Sequence, residues 1–411
     1  SLSLPGRAEK PTPGPCGTNL RQENTSAFPS AQLHNSGWRV SPIGVRRGYD
    51  ALPSSPSRRP TGPCLQAEMT DLTDMPATRS AREWLSILAR YRDPSTSRSL
   101  FELAVTLVPF LALWALAWAA LSVSPWLALA VGVLNGCFLV RIFIIQHDCG
   151  HGAFLRNRTA QDWIGRSLGV LTLTPYAVWR RTHAIHHAHH GDLDQRGIGD
   201  VTTLTVEEYR ARSPFGRFLY RLYRHPLVLF VLGPSYLFIL QNRLPLGLMN
   251  QGWRYWTSAM GTNAMIGIVL GLIIWFGGFW PVLVIFLPTS VIAATIGVWL
   301  FYVQHQFEET HWSKGKDWDL HNAALDGSSH YVLPQPLRWL SGNIGIHHVH
   351  HLYSRIPFYR LPEVIRHHAE LAEVQRLTIC ESLRTVGLHL WDEAQGKLIS
   401  IKEAKQRYGH G

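Results

Sequence analysis

Residues 126–151 read WLALAVGVLNGCFLVRIFIIQHDCGH. The first part of this stretch, 126–145, is an apolar run of about twenty residues, enough for a helix to cross a bilayer. It runs straight into HDCGH. His147 and His151 are four residues apart, so on a continuing helix they share one face. A membrane span therefore delivers two imidazoles, one above the other, to the water interface. The two further His-rich clusters of the chain can converge on the same place.

Composition agrees with a membrane setting. The 411 residues are 46% hydrophobic, with 16 Trp, and the apolar content is bunched into runs. Such bunching favours an integral membrane protein. The net charge of +11 would in a soluble protein raise nucleic-acid binding. Here the basic residues flank apolar runs, and topology beside anionic lipid accounts for them. No recognition motif for nucleic acid is present, so none is expected as a partner. The five cysteines, at 16, 64, 137, 149 and 380, form no CxxC pair. This usage fits reduced thiols, not a disulfide framework. The 21 histidines are the unusual count.

Four kinds of text follow one another. Residues 1–68 are rich in Pro, Ser, Arg and Gly without a hydrophobic period, the signature of a segment that cannot fold alone. Position 1 is Ser and the first Met is Met69. The expectation is a natural start near Met69 with non-native sequence upstream, or alternatively a transit peptide. Residues 69–98 form an N-terminal segment on the cytosolic side, helical around 84–91. Residues 99–376 carry spans at about 100–123, 126–146, 257–276 and 279–302. Residues 377–411 are a cytosolic C-terminal tail. Arg141 sits late in the second span, where its stem can reach the interface. The basic stretch 154–179 reads as lying along the membrane surface.

The links between spans one and two, and three and four, carry no Lys, Arg, Asp or Glu, whereas the other flanks are full of Arg. The positive-inside rule then puts both termini and every His cluster in the cytosol. Residues 226–245 are apolar but interrupted by Gly233-Pro234. Were they to cross once, the third cluster would face the wrong compartment, so they are expected to dip in or lie flat. The fold class is thus all-α integral membrane: four transmembrane helices in two hairpins, interfacial helices and a cytosolic His-rich cap. A multi-pass protein of the bacterial cytoplasmic membrane is expected.

The boxes are HDCGH (His147, His151), HAIHH (His183, His186, His187) and HHVHH (His347, His350, His351). In HxxHH, positions i, i+3 and i+4 aim three imidazoles the same way. Neutral imidazole ligates Zn, Cu, Fe or Ni, and eight of them exceed what one ion can hold. In the second box His186, His189 and His190 spell the same pattern, and spacing cannot choose between the frames. His305 ends the fourth span at the level of the boxes and is a further candidate. Asp148, Glu308 and Glu309 could ligate, although interfacial acids are more often solvated or paired. His348 falls off the face of its box. His367 and His368 read as solvated.

Three stretches carry a family resemblance: FIIQHDCGH, FYVQHQFEETHW and GNIGIHHVHHLYSRIPFYRLPEV. Together with two hydrophobic hairpins, they resemble the membrane fatty acid desaturases over residues 84–384, nearest to the acyl-lipid omega-6 (delta-12) branch of bacteria and plastids. The resemblance implies an oxidoreductase that introduces a cis double bond into a lipid-linked acyl chain. It implies a non-haem di-iron centre, O2 as co-substrate and electrons from a ferredoxin- or cytochrome-type donor. No fused haem motif is present, so that donor is a separate protein. The resemblance selects the His183, His186, His187 frame and adds His305 as a ninth ligand. It makes Asn343 an outer or water-mediated group. His189 and His190 are extra, and His311 stands where an aromatic is common.

This chemistry suits the boxes. An alkyl C–H has no acid, base or nucleophile handle, and oxygen activation at a redox metal can break it. Substrate-lining residues are not legible in the sequence. The alternatives are a hydroxylase or ketolase with the same boxes, and a membrane zinc hydrolase using Asp148 as base. A metal transporter would want polar residues within its spans, which carry almost none.

Overall fold

The computed structural model describes residues 79–197 and 199–409. The expectations for 1–68 lie outside them. Among the described residues, four helices are long and apolar enough to span a membrane: Thr96–Ala120, Pro125–His151, Trp253–Gly277 and Val282–His305. The first begins earlier than the hydropathy suggests, because the Ser95 side chain caps it by accepting from the Arg98 N–H. The second has Ser124 as its cap and Pro125 in its first turn. It runs on through the whole of HDCGH and stops at Gly152, which is left-handed at φ +74°. HDCGH is therefore helical, as the four-residue spacing of its histidines requires.

The second span is the most enclosed of the four and packs on both the first and the fourth. Two glycines one turn apart make the close approach possible. A Cβ on Gly136 would lie 2.8 Å from Ile292 Cγ2 and 3.1 Å from the Thr289 carbonyl oxygen. At Gly132 the backbone of Ile285 would be 3.4 Å away, and Thr289 Oγ1 donates to the Gly132 carbonyl at 2.8 Å. Small residues spaced this way bring helix backbones together in lipid. Gly136→Leu should therefore destabilise the detergent-solubilised protein by about 1–3 kcal/mol through overpacking. Gly267→Leu, on the third span with open space around it, should leave the melting temperature unchanged. Equal melting of the two variants would refute the packing argument.

Arg141 corrects the sequence reading. It does not reach up to the interface but is buried, paired with Glu102 of the first span and donating to Thr106 Oγ1 at 3.0 Å. Its guanidinium lies 4.0 Å from the Trp339 ring centre and donates to the Trp339 carbonyl. A buried partner outcompeted the interface because a paired guanidinium need not find water. Trp126, Trp275 and Trp280 are exposed at the hairpin ends remote from the histidines, where amphipathic rings favour a headgroup layer.

Residues 214–243 form a helix pair, Pro214–Tyr223 and Val228–Arg243, bent by 60°. Phe215, Phe218 and Leu222 are exposed beside Arg221, a pattern that suits a helix lying on a membrane surface. The stretch expected on the surface, 154–179, divides into Arg158–Leu171 and the start of Tyr176–His189, the helix that carries the second box. The third box forms the short helix His347–Leu352. It is supported by the N-terminal helix Ala81–Leu88, whose Trp84 and Leu88 are buried with Ile346, Val349, Leu361 and Val364. Ser80 and Glu83 cap that N-terminal helix reciprocally.

Among the described residues, strands are few and short. Leu204–Thr205, Leu390–Asp392 and Lys397–Ile399 make one small sheet, parallel in its first pairing and antiparallel in its second. Residues after 376 are thus packed against the segment following the second box and are not a free tail. Buried Arg224 ties the two by donating to the carbonyls of Thr202 and Leu388 and to Gln306 Oε1.

Candidate metal centre

His147 and His151 stand at the end of the second span with ring centres 4.6 Å apart. His305 stands at the end of the fourth. The second-box and third-box helices lay their imidazoles between them. One group gathers His147, His151, His183, His187 and His350, with ligand atoms all within 4.8 Å of one another. A second gathers His186, His305 and His351 within the same distance. His347 joins the second through an Nε2–Nε2 approach of 3.1 Å to His305. The groups touch where the rings of His187 and His351 stack, 4.1 Å apart and 16° from parallel.

The nitrogens themselves say what the cage wants. Nε2 of His151, His183, His187 and His350 follow one another at 3.0, 3.1 and 3.2 Å. A protonated Nε2 has no in-plane lone pair left, so each contact needs one donor and one acceptor. Three successive contacts among four such atoms cannot all be hydrogen bonds, since one proton serves one neighbour. A cation accepts every lone pair at once. Burial holds His183, His187, His347, His350 and His351 well below the usual 6.5, hence neutral, the ligating form. Nine imidazoles in groups of five and four fit two metal ions, and imidazole donors suit Fe, Zn, Cu or Ni.

The structure brings together all nine histidines singled out from the sequence. His189 is turned away and lies near the Trp318 ring. His348 donates from Nε2 to the Leu371 carbonyl at 2.8 Å. Asn343, left-handed at φ +55°, donates through Nδ2 to the Phe358 carbonyl at 3.2 Å. Glu308 pairs with Lys397 and Glu309 is exposed, so neither joins the cage. Asp148 is engaged outside it. One carboxylate oxygen accepts the Phe358 N–H at 2.7 Å and the other lies 3.4 Å from His147 Nδ1. A hydrolytic base would have to face an open metal position, and Asp148 is held on the back of the ligand.

Residues outside the nine also border the cage: His190, which belongs to the alternative frame of the second box, and Asp200 and Trp179, which were not foreseen. His190 is buried, 4.2 Å from the His305 ring, with Nε2 donating to the Gly327 carbonyl at 2.7 Å. Asp200 accepts from His186 Nδ1 at 2.5 Å. Trp179 stacks on His183, 4.7 Å apart and 17° from parallel. Within the spans, Phe110, Trp114, Leu139, Leu171, Ile266 and Ser290 are among the residues lining an apolar cavity of ≈ 300 Å³. Leu139 is eight residues before His147, so the cavity reaches about 12 Å below the cage.

Burial also sets a pH dependence. Burial lowers His190 and His389 to about 4 and His348 to about 3, from 6.5. Below about pH 6.5 the unfolded chain takes up protons on these groups that the folded chain refuses. Stability is therefore full above 6.5 and falls as pH drops toward 4. The melting temperature of the metal-free protein in detergent should decline from about pH 7 to pH 5. A flat profile would contradict the burial of these rings.

Comparison with known proteins supplies the family. Residues 124–382 match the family model described as fatty acid desaturase. The chain is 40% identical over 334 residues to a fatty acid desaturase of Bacillus subtilis (strain 168), covering 81% of this chain and 94% of that one. It is 28% identical over 248 residues to a Synechocystis sn-1 acyl-lipid omega-3 desaturase (ferredoxin), covering 56% of this chain and 64% of that one. It is 25% identical over 251 residues to a Synechocystis sn-1 oleoyl-lipid 12-desaturase, covering 58% and 67%. With a match of that extent spanning all three histidine boxes, the chain belongs to the fatty acid desaturase family.

Proposed function

We propose that this protein is an O2-dependent di-iron desaturase that places a cis double bond in a lipid-linked acyl chain, of the delta-12/omega-6 type. One iron is held by His147, His151, His183, His187 and His350. The other is held by His186, His305, His347 and His351, with Asn343 as an outer or water-mediated group. When bound, the irons supply the oxygen-activating redox power that an unactivated C–H bond demands. The chain's own residues hold the site and exclude water from it: His147, His186, His305, His347 and His350 are each at most 4% exposed. The apolar cavity between the spans can hold acyl chain, lined by side chains that offer it almost no polar contact.

The observation that supports this reading above all is the convergence of Nε2 atoms from four separate segments at the ends of two apolar helices. Boxes that touch lie on one side of the bilayer, and the arginine-rich flanks favour the cytosolic side, with both termini there. Ferredoxin is part of the names of several relatives, the omega-3 desaturases of Synechocystis and Nostoc among them. A separate donor of ferredoxin or cytochrome type, docked on that basic face, suits this chain as well. The bacterial cytoplasmic membrane is the expected location.

Expression in a bacterial host that lacks polyunsaturated lipid but has a competent donor, followed by fatty-acid profiling, tests the function. A diene with its new bond at the delta-12 position is expected. Another position would revise the regiochemistry alone. A hydroxylated or ketonic product without new unsaturation would overturn desaturation.

A further inference from the structure

Within the four-histidine group, the imidazoles are not equally anchored. Nδ1 of His305 and Nδ1 of His347 are buried without a hydrogen-bond partner. His186 differs: its Nδ1 donates to Asp200 Oδ1 at 2.5 Å, while its Nε2 lies 3.3 Å from His351 Nε2. A proton fixed on Nδ1 leaves the lone pair on Nε2, the nitrogen that faces the cage. Asp200 therefore selects the ligating tautomer of one imidazole in this group and locks its ring.

The backbone is shaped to make that contact. Asp200 comes from the loop after the second box, which must fold back onto the helix it has just left. Gly199 permits this. It is left-handed at φ +82°, and a Cβ there would sit 3.2 Å from His186 Cβ and 3.4 Å from the Thr182 carbonyl oxygen. The Asp200 side chain is 8% exposed. Among the described residues its ion-pair partner is His186 and not a Lys or Arg. A buried carboxylate with no cationic side chain of its own is costly unless a positive charge stands near. Neutral imidazoles around two divalent ions bring no compensating negative charge. Asp200, next to one group, is placed to supply it.

We propose that Asp200 is a positioning residue for the four-histidine metal site. It acts through His186 by fixing the tautomer, orienting the ring and adding one negative charge behind the ligand. This rests on the two-metal reading given above. Outer partners of this kind typically change metal affinity by about 10–100-fold when removed.

The test uses the full-length protein purified in detergent, with iron content and the time course of iron release to a chelator as readouts. Wild type should hold two irons per chain. D200N and G199A should each lose iron from one site about 10–100-fold faster, leaving the second iron with its wild-type release. The metal-free forms of D200N and wild type should melt alike, which separates a lost ligand anchor from a damaged fold. Two irons in D200N and G199A, released as in wild type, would overturn the role of Asp200 alone. Loss of both irons together, or a lower melting temperature of metal-free D200N, would also overturn it, in favour of a general structural role. A wild-type protein without iron would overturn the two-metal reading and this inference with it.

Discussion

Alanine in place of His187 or His351 should reduce unsaturated product to the background of a host without the enzyme, and should lower bound iron in the same preparations. These two imidazoles stack on each other where the groups of five and four meet. His187 Nε2 lies 3.1 Å from His183 Nε2 and 3.2 Å from His350 Nε2. Either truncation removes a donor and opens the wall between the two sites. The loss should exceed the roughly 10–100-fold that outer-shell changes cause. His348→Ala is the matched control. It alters the same box, but its ring is tied to the Leu371 carbonyl and not to the cage. It should keep both irons and most of the activity. A fully active His187→Ala, or a His348→Ala as dead as its neighbours, would contradict the assignment of ligands.

The second large effect is on stability. Glu102→Gln should lower the stability of the detergent-solubilised protein by about 3–5 kcal/mol, because it leaves the buried Arg141 guanidinium without its carboxylate. Arg98 also reaches Glu102, at 2.7 Å, but is half exposed and can turn to water. Arg141 cannot, being 1% exposed with the Trp339 and Phe358 ring centres 4.0 and 5.3 Å from its guanidinium. Replacing both partners, as in Glu102→Leu with Arg141→Met, should recover much of the loss, since no buried charge then remains. Chemical or thermal unfolding of the three variants measures this. A single Glu102→Gln variant as stable as wild type would mean that water reaches the pair. The effect carries to the site, because the segment Arg141 holds through Trp339 leads directly into the third box.

What could be read from the sequence follows from which contacts are local. HxxxH and HxxHH fix imidazoles on one helical face by the pitch of the helix alone, so the three boxes were legible before any tertiary arrangement; the frame of the second box and the addition of His305 came from the family resemblance. The spans were legible because lipid demands long apolar runs. Their ends were less so: the first helix starts at Ser95 through a cap, a matter of one side-chain bond and not of hydropathy. Asp200 was not legible. Its contact to His186 depends on a loop that doubles back at a left-handed glycine, and a lone Asp in a polar loop has no periodicity to betray it. His190 was visible in the alternative frame of the second box, but its place beside His305 was not, since that is set by the Gly327 carbonyl far along the chain. Arg141 misled because position in a span says nothing of a partner on the neighbouring helix. The small sheet joining residues 204–205 to 390–399 was hidden for the same reason, each strand being two or three residues long.

The family fixes the chemistry of this chain in outline, and the nine-nitrogen cage is where its own residues commit to it. Quantifying metal in the full-length protein, purified from an iron-supplied host without added chelator, probes that cage directly. The account predicts two irons per chain, both lost when His187 and His351 are replaced together. A single zinc per chain, or a well-folded protein that holds no metal, would contradict it.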